Sequence, residues 1–225
     1  MIISFRGPEW FYGIDVIIEI ILTLIVLGLV VYGYKAYKLT KQKKFLYFFL
    51  GFLIIALDFF IHSIINAYVY YNIIKFNYCS LSCQLGSIKY LFYNCLIFYS
   101  IMHLFAYFLL SSMYIKFKNK FKIMFLLFTF FAIILYFRPY LFNIFAILFL
   151  IPIVYYAYKN YSTNNNLKSK LVFMAFTSII LAHIFFFLEI KYIYFYVLGM
   201  ATLLIGYSLL LYLLILVKKN GKKTR

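Results

Sequence analysis

Seven apolar stretches, each about as long as a membrane-crossing helix, follow one another along this chain. A helix needs ~20 mostly apolar residues to cross the hydrocarbon core of a bilayer. The predicted spans are residues 12–34, 45–68, 89–114, 121–137, 140–158, 171–189 and 192–217. The split between the fourth and fifth spans rests on Arg138-Pro139, because proline disfavours helix at the residue before it.

The gaps between these stretches are too short to hold a water-soluble domain. The chain has 67% hydrophobic and only 12% charged residues, so its solvent must be lipid. We therefore predict an all-α integral membrane protein with seven transmembrane helices, forming a single membrane domain over residues 1–225. Its chemistry then has to lie inside the helix bundle or at its rims.

The net charge of +17 is unevenly distributed along the chain. Most of the basic residues fall in the first, third and fifth gaps and in the tail: Lys35, Lys38, Lys41, Lys43, Lys44, Lys116, Lys118, Lys120, Lys122, Lys159, Lys168, Lys170, Lys218, Lys219, Lys222, Lys223 and Arg225. The opposite rim has only Arg6, Lys75, Lys89, Arg138 and Lys191. The positive-inside rule then predicts a multi-pass protein of the cell membrane with its N-terminus outside and its C-terminus in the cytoplasm. The lysines are expected to contact anionic lipid heads, and no nucleic-acid partner is predicted.

The first three spans resemble the last three. The matched segments, in order, are VVYGYKAY (30–37) with VYYAYKNY (154–161), IIALDFF (54–60) with ILAHIFF (180–186), and KYLFY (89–93) with KYIYF (191–195). They predict a first repeat over about 12–116, a linker helix over about 121–137 and a second repeat over about 140–218. Transporters with a parallel 3+1+3 arrangement have halves related by an axis along the membrane normal.

This arrangement is similar in topology to the SWEET-type sugar transporters and to the seven-helix rhodopsins. The resemblance covers the whole chain but includes no family motif. SWEET-type halves have prolines in several spans, whereas Pro152 is the only proline inside a predicted span here. Retinal proteins need a lysine in the last span, and residues 192–217 contain none. A light-driven rhodopsin is therefore excluded, and no specific family is identified.

Ionisable residues inside membrane spans are costly, at least ~2.5 kcal/mol near the bilayer centre, and usually face a protein interior. The candidates for an intramembrane polar site are Asp15, Glu19, Asp58, His62, Asn66, His103 and His183. Asp58, His62 and Asn66 are spaced by four and share one helix face. The rise of a helix places Asp58, His103 and His183 near the midplane, with Glu19 and His62 nearer the outside. We expect a site with a polar approach from the outside.

Each of these residues also has a structural interpretation. Asp58 and His62 could pair with each other within their helix and stabilise the bundle. A single interior histidine is more often hydrogen-bonded than a ligand, and Asp15 and Glu19 could lie near water.

The three cysteines, Cys79, Cys83 and Cys95, lie in or beside the gap between the second and third spans. On the predicted topology this gap faces an oxidising compartment, which permits disulfides. Any one pair leaves a cysteine over, and the sequence leaves the pairing open.

The leading functional hypothesis is a transporter of a small solute or ion, with its polar site between helices. Asp58 would carry a proton or cation, His62 would tune it, and Glu19 and Asp15 would form the outer approach. The alternative is a membrane sensor or accessory protein without turnover, which needs a membrane protein partner. A metal- or haem-dependent enzyme using Asp58 and the histidines ranks third, because no spaced ligand motif such as HExxH is present. No cofactor and no catalytic residue are predicted.

Overall fold

A computed structural model describes residues 7–75, 81–114 and 120–223 of the chain, with side chains described except at 9, 72–75, 81–92, 120–121 and 219–223. Some residues used in the sequence predictions fall outside this description, wholly or in their side chains: Arg6, Lys75, Cys79, Cys83, Lys89, Lys116, Lys118, Lys120, Lys219, Lys222, Lys223 and Arg225. The pairing among the three cysteines, which the sequence leaves open, therefore lies largely outside the described residues. Cys95, which is described, is a free thiol among the described residues.

The described residues form seven α-helices and two short 3-10 turns, with no strand among them. The helices are α1 (Ile14–Thr40), α2 (Lys43–Lys75), α3 (Leu81–Ser112), α4 (Lys120–Phe137), α5 (Phe142–Asn164), α6 (Leu167–Leu188) and α7 (Phe195–Lys223). All but α4 are long and apolar enough to cross a membrane, and the described part of α4 is a shorter apolar helix. The predicted all-helical, multi-pass membrane character is confirmed.

Several helices extend beyond the predicted spans. Helix α1 continues to Thr40 and α5 to Asn164, through segments rich in tyrosine and lysine. Apolar composition identifies only the part of a helix that is suited to the hydrocarbon core. The segments beyond it, whose tyrosine and lysine side chains suit the polar interface, continue the helix. Both helices end at a residue in the left-handed conformation, Lys41 and Asn165, whose N–H groups satisfy carbonyls of the last turn.

The predicted break between the fourth and fifth stretches is present. Helix α4 ends at Phe137, and a 3-10 turn over Pro139–Leu141 leads into α5. Pro139 has no N–H to donate and stands at the first position of that turn, where none is needed.

The six helices other than α4 form a closed ring in the order α1, α2, α3, α5, α6, α7. Successive helices within each group of three pack antiparallel, as the contacts Glu19–His62 and Asp58–His103 illustrate. Helix α3 packs in parallel against α5, and α1 packs in parallel against α7. Helix direction therefore alternates along the chain.

Helix α4 lies outside this ring. It runs antiparallel to α3, with Phe128 against Phe105 and Phe125 against Phe108. Phe131 of α4 stacks on Phe145 of α5 with ring centroids 4.3 Å apart. Helix α4 thus covers the seam between α3 and α5 with aromatic rings, and its described side chains, from residue 122 onward, add no polar group to the interior.

Large apolar side chains face outward along these helices. Leu24, Leu126, Ile133 and Phe137 are each more than half exposed, for example. So much apolar surface on the outside is expected where the solvent is lipid. The ring interior, in contrast, holds both the tightest packing and most of the buried polar side chains.

Candidate functional site

A chain of hydrogen bonds crosses the interior of the ring, and we call its five residues the relay. It begins at Asp58 on α2, whose Oδ2 lies 2.5 Å from Nδ1 of His103 on α3. The other ring nitrogen of His103, Nε2, lies 3.0 Å from the hydroxyl of Tyr107 one turn further along α3. That spacing of four residues places the histidine and the tyrosine on one helix face.

The relay continues to the other half of the chain. The Tyr107 hydroxyl lies 2.9 Å from Nε2 of His183 on α6, and Nδ1 of His183 lies 3.0 Å from Oδ1 of Asn143 on α5. All five residues are buried. Each link from Asp58 to His183 joins two groups that can give up and accept a proton. The last link ends at the Asn143 amide, which cannot.

A second cluster lies nearer the N-terminal end of α1, and we call it the Glu19 cluster. Oε1 of Glu19 is 2.6 Å from Nδ1 of His62 on α2. The side-chain amide of Asn66 donates to Oε1 and Oε2 of Glu19 over 3.1 and 3.2 Å. A carboxylate that accepts several hydrogen bonds is compatible with burial, because each bond replaces lost hydration.

Aromatic rings join the Glu19 cluster to the relay. Tyr99 on α3 lies against His62 and His103, with ring centroids 4.6 and 5.3 Å away. Phe142 packs edge-on against His103 and His183. These contacts hold the imidazoles in fixed orientations and keep lipid away from them.

A narrow cavity lies between the two polar groups. Its lining comes from every helix of the ring: Glu19, Phe59, His62, Tyr99, Phe142, Asn143, Phe186, Tyr196, Met200 and Leu203. It has room for about one water molecule. Glu19 thus faces the cavity from one side of the ring, and Asn143, the end of the relay, faces it from the other.

Asp15 lies outside both networks and caps the start of α1. Its Oδ1 accepts hydrogen bonds from the backbone N–H groups of Gly13 and Val16, at 2.9 and 2.8 Å. Gly13 has φ +86, a conformation that favours glycine, so the chain turns sharply into the helix there. The carboxylate satisfies N–H groups that have no partner within the helix.

Replacing Asp15 by alanine is expected to lower the free energy of unfolding by about 1 kcal/mol, the usual effect of losing a helix cap. Asp15→Asn should keep most of that stability, because its carbonyl oxygen can accept the same bonds. The thermal unfolding midpoints of both variants in detergent would test this. Equal loss in both would mean that the charge, and not the cap, provides the stability.

The structure brings six of the seven predicted residues to the two groups around the cavity; the exception is Asp15. Asp58 makes its hydrogen bond with His103 on α3, whereas His62 bonds to Glu19 on α1 and lies 3.1 Å from Asn66 within α2. Sequence reasoning missed Asn143, although the same spacing that aligns Val30 with Val154 also aligns Glu19 with Asn143. The repeat could therefore have identified it.

The third hypothesis required several ligands around one metal. Among the described residues, no group of three or more His, Cys, Asp or Glu side chains is placed to hold a metal ion. The two relay histidines instead use both of their ring nitrogens for hydrogen bonds to oxygens. That pattern suits proton transfer, since imidazole can lose a proton at one nitrogen while gaining one at the other.

Two histidines and a tyrosine linked in series connect a buried carboxyl group to an amide that lines a cavity, and protons can shift along the links from Asp58 to His183. Chains of this kind mark proton pathways in membrane proteins. Comparison of the protein with family models, with curated proteins and with solved structures finds no match. Its function is therefore argued from its own residues and their contacts.

Proposed function

We propose that this chain is a membrane transporter that couples the movement of a small solute or ion to the movement of a proton. The relay is the observation that carries the proposal. It links a buried carboxyl group, two imidazoles and a phenol across the interface between the first three and the last three helices. A purely structural cluster would not need to join the two halves through groups that all exchange protons.

The residues of the site divide into two roles. Asp58 holds the transported proton, and His103, Tyr107 and His183 pass it between Asp58 and the cavity. Glu19, oriented by His62 and Asn66, presents its carboxyl group to the cavity. The solute would occupy the cavity beside Glu19 once the ring opens, since the closed cavity admits only about one water molecule.

The helix contacts support two related halves. Exchanging α1 with α5, α2 with α6 and α3 with α7 leaves every neighbour relationship of the ring unchanged. The exchange also brings Glu19 to the position of Asn143, and both residues line the cavity. We propose the parallel 3+1+3 repeat on this basis, with the cavity on its axis. Substrate sites between repeats are typical of transporters.

Seven membrane spans follow if α4 also crosses the bilayer. Helix α4 has 18 residues, about 27 Å of helix, against a hydrocarbon core of ~30 Å. It runs antiparallel to α3 and to α5 along the bundle. An odd number of spans places the termini on opposite sides, and the distribution of lysine supports an outside N-terminus in the cell membrane. Anionic lipid heads would then contact the lysine-rich face.

Two tyrosine variants test the proposal. Tyr107→Phe removes the hydroxyl that joins the two histidines. Tyr114→Phe makes the same chemical change at a partly buried tyrosine that follows the end of α3, where the ring stacks on Tyr156 outside both networks. In proteoliposomes that contain a pH dye, small cations and neutral solutes would be screened for the ability to drive proton movement.

Wild-type protein is expected to respond to at least one class of solute. Tyr107→Phe should lose most of the response because the proton path is broken, and Tyr114→Phe should keep it. A protein that responds to none of the solutes, or whose Tyr107→Phe form transports normally, would contradict the proposal.

A second candidate is a membrane sensor or accessory protein without turnover. It is favoured by the small size of the cavity and by the hydrogen bonds already made by every residue of the relay and of the Glu19 cluster. In that case the two networks would only stabilise the ring. Tyr107→Phe would then lower the unfolding midpoint of a protein that shows no transport in any form.

A further inference from the structure

The Asn143 end of the relay fixes the number of protons that the relay holds. Its four hydrogen bonds need one proton each. Oδ1 of Asn143 is a carbonyl oxygen and can only accept, so His183 donates to it through Nδ1. The protons of all four bonds therefore belong to the four titratable residues. With these four protons the relay is electrically neutral, wherever in the chain each proton sits.

Rotation of the Asn143 amide by half a turn would change this count. Its Nδ2 would then donate to Nδ1 of His183 and supply the last proton itself. The remaining three bonds need only three protons from the titratable residues. The relay can thus lose one proton without leaving a buried polar group unpaired, which would otherwise cost ~1–3 kcal/mol.

The loss of that proton can be written bond by bond, starting from protonated Asp58 and neutral imidazoles. As the Asn143 amide turns away from His183, the N–H bond at Nδ1 of His183 breaks, and the proton forms an O–H bond with a water molecule that comes past Asn143 from the cavity. Each of the other three protons crosses its own hydrogen bond toward Asn143. The negative charge is left on Asp58, and every imidazole and the phenol again hold one proton each.

This change alters the wall of the cavity. Among the described residues, the only hydrogen bond of the Asn143 side chain is the one through Oδ1, and the residue lines the cavity. While the relay holds its four protons, Nδ2 is therefore the amide atom that faces the cavity. After proton release and rotation, Oδ1 takes that place across from the carboxylate of Glu19, and the interior has gained one negative charge.

We infer that the cavity then takes a small monovalent cation in exchange for the released proton. Carboxylate and amide oxygens are ligands for hard cations such as Na⁺. A monovalent cation restores the charge that the interior lost, and net charge is costly away from water. Space for about one water molecule excludes a large cation. This inference rests on the proposed transport function and identifies its substrate class and its direction, exchange of cation against proton.

Other titratable groups face the relay from the helices packed around it. They are Glu19 on α1, His62 on α2, Tyr99 on α3 and Tyr207 on α7. Tyr196 on α7, which is buried, also lines the cavity. Helices α5 and α6 contribute no titratable residue beyond the relay's own among their buried side chains. Glu19 and His62 are bonded to each other, so their pair is the group that a bound cation would perturb besides the relay.

The test uses Na⁺ as the probe. Purified full-length protein in lipid nanodiscs, weakly buffered at mildly alkaline pH with a pH dye, would receive NaCl or choline chloride at equal ionic strength. Because cation and proton binding are linked, wild-type protein should release about one proton per chain as Na⁺ saturates the site. Choline, which is too large for the cavity, should release none.

Three variants separate the relay from the cation site. Glu19→Gln should lose Na⁺ binding, measured by dialysis with radioactive sodium, together with the proton release. Tyr107→Phe should still bind Na⁺ but release several-fold less proton, because Asp58 is cut off from Asn143. Tyr114→Phe, whose ring stacks on Tyr156 outside both networks, should behave like wild type in both measurements.

No proton release from wild-type protein on adding Na⁺, or equal release from Tyr107→Phe, would overturn the inference. Transport of some other solute that depends on Tyr107 but is indifferent to Na⁺ would overturn it as well, while leaving the proposed transport function intact. Conversely, Na⁺-linked proton release without any transport in vesicles would uphold the exchange and contradict the transporter.

Discussion

Asp58→Asn is expected to abolish proton-coupled transport. Asparagine matches aspartate in shape and can hydrogen-bond to Nδ1 of His103 in either orientation of its amide. It has no proton to give up at ordinary pH, so the relay would end in an amide on both sides and its charge could not change. We expect transport in proteoliposomes to fall to the level of empty vesicles, with little change in thermal stability.

Asp15→Asn is the matched control for this variant. It makes the same chemical change at a carboxylate that caps α1 and does not line the cavity. Transport should therefore remain close to wild type. If both variants lost transport equally, a general effect of removing negative charge from the membrane region would explain the result, and the specific role of Asp58 would be lost.

The helices could be predicted from the sequence because the bilayer imposes one simple requirement. A span needs ~20 apolar residues, and the chain alternates such stretches with lysine-rich gaps. The same rule could not give the helix ends, because tyrosine and lysine continue the helix into the interface. Nor could it show that α4 lies outside the ring, although an apolar run with Thr129 as its only polar residue is typical of a joining helix.

The residues of the candidate site could be predicted from the sequence, but the hydrogen-bond partner of each residue could not. The cost of burying charge indicates that Glu19, Asp58 and the histidines face an interior. The spacing of Asp58 and His62 favoured a pair within α2, yet the two side chains point to different neighbouring helices. Which residues meet across a helix interface depends on the register between the helices. That register is set by the packing of small and apolar residues along the whole interface.

Gly51 and Gly206 are two such small residues. A β-carbon at Gly51 would lie 2.9 Å from the Leu110 side chain of α3, and one at Gly206 would lie 2.8 Å from Ile179 of α6. Each glycine thus lets a pair of helices approach closely, one pair in each half. The approach of α6 to α7 also bears on the relay, because His183 follows Ile179 by one turn.

Gly206→Val is expected to reduce both stability and transport. A β-carbon at this position would also lie 3.0 Å from the backbone carbonyl oxygen of Ala175, which cannot move aside as the end of a side chain could. The two helices must separate, and overpacking of this kind usually costs about 1–3 kcal/mol. Because α6 carries His183, its displacement should also lengthen the hydrogen bond from Tyr107, which is 2.9 Å in the intact ring.

Gly28→Ala provides the comparison, since a β-carbon there meets only the end of the flexible Leu211 side chain, at 3.0 Å. It should leave the unfolding midpoint and the proton flux nearly unchanged. Gly206→Ala should fall between the two, because it adds the β-carbon without the branches of valine. A graded loss of transport that follows the loss of stability at Gly206, with none at Gly28, would show that helix register sets the geometry of the relay. Loss of stability with full transport would mean instead that the relay tolerates a displaced α6, and that His183 does not need the short contact to Tyr107.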